Sequence, residues 1–224
     1  MSKKYELTNE TKTLAGGMVL HRIRALRDIT RFGVKAGELG GFVEGEINLS
    51  QDGDAWVSGN ACVYGDAEVY DNACVYGNAW VSGNARVSGN AKVYGNAWVY
   101  GNAWVYGNAW VSGNACVYGK AKVSGNACVY GNACIYGNAE VSGDAKVENG
   151  HDYFVAKNTW SSLRWFTYTS SNKKWAVGCF YGTGEELIKK AYADSELSGK
   201  CYEAIVRAVE TIEAEKAEAK GEAK

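Results

Sequence analysis

Residues 55–84 read AWVSGN ACVYGD AEVYDN ACVYGN AWVSGN, and the same pattern, A-x-V-x-G-N, runs on without a gap to Gly150, giving sixteen hexads in 96 residues. A six-residue period does not fit a helix of 3.6 residues per turn. Alanine and valine, two apart, point to one side of an extended strand, and the residue between them points to the other. The Gly-Asn or Gly-Asp pair then turns the chain, because these residue types accept left-handed backbone angles. Short strands joined by near-identical turns wind as a solenoid, each stacking on its successor one coil later. Three hexads per coil make a little over five coils, a column roughly 25 Å tall at a strand spacing of about 4.8 Å. Gly41–Glu46 (GFVEGE) and Ile47–Asp54 (INLSQDGD) read as two worn earlier units, the second with two extra residues.

The repeat resembles hexapeptide-repeat proteins, which fold as left-handed parallel β-helices of triangular section. Their aliphatic residue, and the small residue four further on, correspond here to Val57 and Ala61, Val63 and Ala67, and so on along the column. The resemblance covers about 110 residues and implies a mainly β fold, but it implies no single activity. Acyltransferases, carbonic anhydrases and non-catalytic scaffolds share this solenoid. The whole chain also resembles small phage- and prophage-encoded members, in which a short strand region precedes the repeats and a segment like FTYTSSNKKWAVGCFYGTGEEL (166–187) follows them.

The flanks divide the chain further. Residues 1–40 read as an N-terminal β cap, with a strand over Val19–Leu26 and a glycine-rich approach, GELGG, at 37–41. A cap is needed because an open solenoid end exposes a strand edge. The hexads fill 41–150. Residues 151–213 read as a small α+β domain in which LRWFTYT (163–169) and WAVGCFY (175–181) form a hairpin. Thr183 and Glu186 form a capping box opening a helix over 184–193. A second helix starts near Ser198, with Tyr202, Ile205, Val206, Val209 and Ile212 on one face. Residues 214–224 read as a flexible, solvated tail.

Residues eighteen apart stack, so the outward position between Ala and Val sorts into three columns. The first holds Trp56, Cys74, Lys92, Trp110, Cys128 and Lys146; the second holds Cys62, Trp80, Trp98, Cys116 and Cys134; the third holds Glu68, Arg86, Trp104, Lys122 and Glu140. The position after Val adds Tyr64, Ser82, Tyr100, Tyr118 and Tyr136 to the second face. That face is uncharged, and a continuous Trp/Tyr/Cys face is typical of interface cores. Tyr64, Trp80, Trp98, Tyr100, Tyr118 and Tyr136 are therefore expected to contact other copies of the chain in a homo-oligomer, with a trimer among the arrangements related β-helices adopt. A ligand groove built from the same residues, or simple stacking along the repeat, are the alternatives.

The remaining chemistry is sparse. Lysine plus arginine is 24 against 25 acidic residues, and the repeats carry five basic residues against six acidic, so there is no stripe for long nucleic acid. No run of 18 apolar residues suggests a membrane span, and the N-terminus lacks the apolar core of a signal peptide, so a cytoplasmic location is expected, that of a bacterial host if the chain is phage-encoded. Seven cysteines with no C-x-x-C fit neither a disulfide framework nor a zinc knuckle, so no metal and no cofactor is expected. His21 and His151 are the only histidines; His151 is the sole weak candidate for a general base, and more simply a junction residue. Arg22, Arg24 and Arg27, with Arg31 behind them, form a group able to clamp a phosphate or carboxylate, or to pair with nearby acidic side chains. Trp165, Tyr168 and Trp175 belong to an aromatic cluster read first as domain core and alternatively as a stacking platform for a base.

The expectation is a non-catalytic, homo-oligomeric binding or scaffold protein. In a phage setting it would bind a small anionic or nucleotide ligand, sequestering a host signalling nucleotide or a host protein in an anti-defence role. The alternative is a hexapeptide-repeat acyltransferase with an acyl-CoA-type donor.

Overall fold

The computed structural model describes residues 3–222, and the chain divides into two compact units, Met1–Gly150 and His151–Lys224. In the first unit, strands β1 (Tyr5–Thr13), β2 (Val19–Ala25) and β3 (Leu39–Val43) precede sixteen two-residue strands, β4 (Trp56–Val57) to β19 (Lys146–Val147), at six-residue intervals. These short strands form three parallel sheets. The first is ordered β4-β7-β10-β13-β16-β19, the second continues β5-β8-β11-β14-β17, and the third is β6-β9-β12-β15-β18. Six strands on the first sheet mean about six coils.

The eighteen-residue stacking is in register throughout: Trp98 lies between Trp80 and Cys116, and Lys92 between Cys74 and Trp110. Backbone hydrogen bonds run from coil to coil, as in Asn96 N–H to Gly113 O (2.8 Å), Trp98 N–H to Ala115 O (2.9 Å) and Tyr100 N–H to Val117 O (2.9 Å). With the backbone satisfied this way, the interior needs only small apolar side chains. Every Ala and Val of the hexads, and Ile135 in place of one Val, is fully buried.

The corners explain the Gly-Asn pair. Gly107 has φ +71°, and a Cβ there would sit 3.0 Å from the Gly125 backbone nitrogen one coil on. Positive φ and close backbone approach both favour glycine. Asp71 replaces that glycine in one hexad and adopts φ 59°. Its carboxylate accepts from Gly89 N–H at 3.0 Å. The asparagines do more than turn the chain. The side-chain Nδ2 of Asn60, Asn78, Asn96 and Asn114 each donates to Oδ1 of the asparagine one coil on, ending at Asn132, at 3.1–3.3 Å.

The N-terminal strands extend the second sheet rather than forming a separate lid. β1 pairs antiparallel with β2, β2 antiparallel with β3, and β3 parallel with β5. The expected strand at 19–26 is present as β2, whereas β1 was not expected, since YELTNETKT is largely polar, and Tyr5 alone in it is fully buried. Phe42 pairs with Cys62 and Leu49 bridges to Val69, a step of twenty residues where the hexads step eighteen. GFVEGE and INLSQDGD are thus units of a first, incomplete coil, offset by the two extra residues.

The second unit holds an antiparallel sheet in simple order, β20 (Tyr153–Lys157), β21 (Trp165–Thr169), β22 (Lys174–Val177) and β23 (Phe180–Gly182). Helices α1 (Gly184–Asp194) and α2 (Glu196–Glu222) follow. The expected hairpin is two strands of this larger meander. Gly178, at φ 59°, breaks WAVGCFY into β22 and β23. The Thr183–Glu186 capping box is formed: Glu186 N–H donates to Thr183 Oγ1 (3.3 Å) and Thr183 N–H to Glu186 Oε2 (2.7 Å). The expected tail beyond 213 is instead the last turns of α2. Alanine, glutamate and lysine are strong helix formers. Lys216 pairs with Glu213 at 2.6 Å and donates to the His151 carbonyl at 3.1 Å. Residues 223 and 224, also assigned to that tail, lie outside the described residues.

Candidate functional site

The second sheet carries its outward side chains in two parallel ladders. On the first, the Trp80 and Trp98 indoles stack at 5.6 Å and 13°, and Cys116 and Cys134 continue the line. On the second, Tyr100 stacks on Tyr118 at 5.0 Å and 1°, and Tyr118 on Tyr136 at 5.7 Å and 19°. Tyr64 meets Trp80 edge-on at 6.0 Å. All six aromatic residues expected at an interface therefore share one face. Trp98 is 49% exposed and Tyr136 48%.

The N-terminal end of this face is covered by the chain itself. Leu20, Phe42 and Cys62 form a buried cluster on it, with Leu14, Met18, Tyr64 and Trp80 packed around. Lys12 Nζ sits 5.5 Å from the ring centroids of both Phe42 and Trp80, and donates to Cys62 Sγ at 3.3 Å. The bare, uncharged part of the face therefore starts at Trp98. The other two faces differ. On the first, Lys92 lies 4.8 Å over the Trp110 ring; on the third, Arg86 lies 5.5 Å over Trp104 and pairs with Glu68 at 3.5 Å.

Burial, with the neighbouring Cys134, pushes the Cys116 thiol up, and burial takes the Cys74 thiol to about 11. Burial likewise raises Cys62, partly offset by Lys12. A raised thiol pKa leaves the neutral form dominant near pH 7, the opposite of what a nucleophilic cysteine needs. The cysteines are thiols, not joined in disulfides among the described residues.

The cap arginines are each engaged within the fold. Arg22 donates to Glu10 (2.8 Å) and to the Gly40 carbonyl (3.1 Å) and lies over the Phe42 ring at 5.3 Å. Arg24 pairs with Glu6 at 3.3 Å. Arg27 donates to the Gly53 carbonyl at 2.9 Å and pairs with Asp54 at 3.7 Å. Arg31 reaches Asn90 on the first corner of its ladder, at 2.8 Å. Arg22, Arg24 and Arg27 thus each have a carboxylate partner within the fold.

Trp165, Tyr168 and Trp175 belong to the second unit and do not form a common exposed platform. Trp175 and Tyr168 are buried in a core with Phe166, Leu187, Tyr202 and Val206, and Trp165 alone of the three is exposed. Tyr168 and Trp175 are thus core residues, and Trp165 is not. His151 is an exposed turn residue at the start of that unit.

A column of parallel two-residue strands with repeated corners defines the class, a parallel β-solenoid repeat protein. Residues 67–83, 79–95, 85–101, 91–107 and 97–113 match a family model described as the YdcK Beta solenoid repeat, so the coils from β6 to β13 are similar to that repeat. No curated protein matches the chain. None of the described helices is long and apolar enough to cross a membrane.

Proposed function

We propose that this chain is a non-catalytic, self-associating β-solenoid scaffold whose second face packs against the same face of another copy. One observation carries the reading: from Trp98 to Tyr136 both outward ladders of that face are uncharged and its tyrosines are ring-stacked, while the equivalent ladders of the other two faces, though they also hold aromatics, are interrupted by Lys92 and Lys146 or by Arg86, Lys122 and Glu140. Stacking fixes the rings before association, so little side-chain entropy is lost when they are covered. Aromatic side chains with few rotamers are enriched at the centres of such contacts. A second copy is the natural occupant because both surfaces then share the same rise per coil.

Light scattering after gel filtration tests this. The expected mass is an integral multiple of 24.2 kDa. The variant Trp98→Lys with Tyr136→Lys should run as a monomer. Lysine occupies the position equivalent to Trp98 in the hexads of Lys92, Lys122 and Lys146, so the fold tolerates it there. A monomeric wild type overturns self-association; an oligomer unchanged in the double variant overturns the choice of face.

A further inference from the structure

The second unit contains a cleft of about 290 Å³ with an apolar floor, made by Val177, Phe180, Leu187 and Tyr202. Its rim is polar and includes Arg164, Lys190 and Asp194. Three features make it more than a surface irregularity.

One wall is organised from within. Asn158 is 1% exposed and uses all its side-chain capacity: its Oδ1 accepts from the backbone of Trp160 (3.1 Å) and Ser161 (2.9 Å), and its Nδ2 donates to Ser161 Oγ (2.8 Å) and Tyr202 Oη (3.1 Å). The 158–162 loop, which leads to Arg164, is thereby tied to helix α2. The opposite wall is α1, whose Leu187 and Ala191 face the floor while Lys190 and Asp194 stand at the rim.

The two cations are also uncommitted. Ion pairs in this unit include Lys200 with Glu196, Arg207 with Glu185 and Glu210, and Lys216 with Glu213. Neither the Arg164 guanidinium nor the Lys190 ammonium has an ion-pair partner among the described residues. This contrasts with the cap, where Arg22, Arg24 and Arg27 each pair with a carboxylate.

Finally, the volume matches a small molecule, near the lower end for ligand pockets, and an apolar floor with a few polar groups at the rim is their usual composition. We propose that this cleft binds a small organic anion, an aromatic or other compact apolar body bearing one phosphate or carboxylate. The body lies on Phe180, Leu187 and Tyr202, and the anionic group meets Arg164 and Lys190. Asp194 disfavours a second anionic group elsewhere on the ligand and gives a hydroxyl or amine an acceptor. The inference is independent of self-association through the solenoid.

Calorimetric titration of the full chain with phenyl phosphate and with benzoate tests it, with inorganic phosphate and phenol as the separated halves. Binding of at least one aryl anion is expected, with each half roughly tenfold weaker or worse, and the tighter of the two probes identifies the preferred head group. Arg164→Gln with Lys190→Gln should weaken the aryl anion about tenfold or more while leaving the far-UV spectrum unchanged, since both side chains are exposed. No heat from either aryl anion at about 10 mM overturns the proposal. So does undiminished binding in the double variant, or inorganic phosphate binding as tightly as phenyl phosphate.

Discussion

The indoles of Trp80 and Trp98 stack 5.6 Å apart on successive coils, yet they sit in different surroundings, because Lys12 lies over Trp80 and the next indole is half exposed. Trp80→Ala removes the stack, the cation contact and the edge-on contact with Tyr64 together. Its cost should be about 2–3 kcal/mol, against about 1 kcal/mol for Trp98→Ala, which loses mainly the stack. Urea denaturation followed by near-UV circular dichroism measures both. Equal costs would mean that the cap hairpin does not stabilise the coils beneath it.

The corner glycines separate two effects. Gly107→Ala forces a Cβ onto positive φ and brings it to 3.0 Å from the Gly125 backbone, whereas Gly137→Ala meets φ +66° with nothing within 4 Å. The second substitution should cost about 1 kcal/mol, the penalty for left-handed backbone alone, and the first measurably more. If both shift the thermal midpoint equally, backbone conformation alone accounts for the glycine.

Much of this was legible because a repeat multiplies a weak signal. One A-x-V is a poor strand predictor, but sixteen in phase determine which side of each strand is buried, and with eighteen-residue stacking they determine that Trp80 meets Trp98. The cap and the second unit have no such redundancy. β1 is polar along its length, and its strand is defined by pairing with β2, which no local pattern reveals. Lys12 over Trp80, and Arg22 between Glu10 and Phe42, are contacts across 68 and 20 residues that the outward-column reading of the hexads did not include. The cleft went unread for a similar reason: Arg164 and Lys190 are 26 residues apart, in a loop and a helix, and only the packing of α1 brings them to one rim.

Two adjacent buried groups in the cap give it an unusual pH profile. Burial, reinforced by Arg27, lowers the Lys4 ammonium to about 8, and its Nζ donates to the Ala55 carbonyl at 2.8 Å. Burial raises the neighbouring Tyr5 hydroxyl, which donates to the Leu49 carbonyl at 2.7 Å, well above its ordinary 10.0. Between pH 8 and 10 the unfolded chain holds the Lys4 proton that the folded chain has released, so the Lys4 contribution to stability rises with pH, while the Cys74 thiol, raised by burial to about 11, opposes it from about pH 9. Above 10 the unfolded chain loses the Tyr5 proton that the folded chain keeps, so stability falls. The Lys4 contribution alone should be on the order of 2 kcal/mol. In denaturation midpoints taken from pH 7 to 11, Lys4→Met should lose the Lys4 contribution to the rise, and Tyr5→Phe should make the fall above pH 10 shallower without abolishing it, because burial also raises Tyr168 to about 12 and Cys74 to about 11. Variant profiles that run parallel to the wild type across this range would show that these groups do not titrate differently on folding.

The cysteines report on both the packing and the proposed assembly. Cys62 and Cys74 are buried, Cys134 and Cys179 exposed, and the others lie between. A thiol reagent reaches a sulfur only where solvent does, and reacts through the thiolate, which burial suppresses at Cys62 and Cys74. Cys179 should therefore label rapidly in every preparation, and Cys62 and Cys74 only on unfolding. Cys134 is the informative site, because it stands on the second face, one coil beyond Cys116. In the Trp98→Lys, Tyr136→Lys variant it should label at a rate comparable to Cys179. In the wild type it should be protected by about tenfold or more, and dilution below the dissociation constant should restore its reactivity. Peptide mapping of the labelled protein assigns each site. Equal and rapid labelling of Cys134 in wild type and variant, at a concentration where light scattering shows an oligomer, would move the contact to another face.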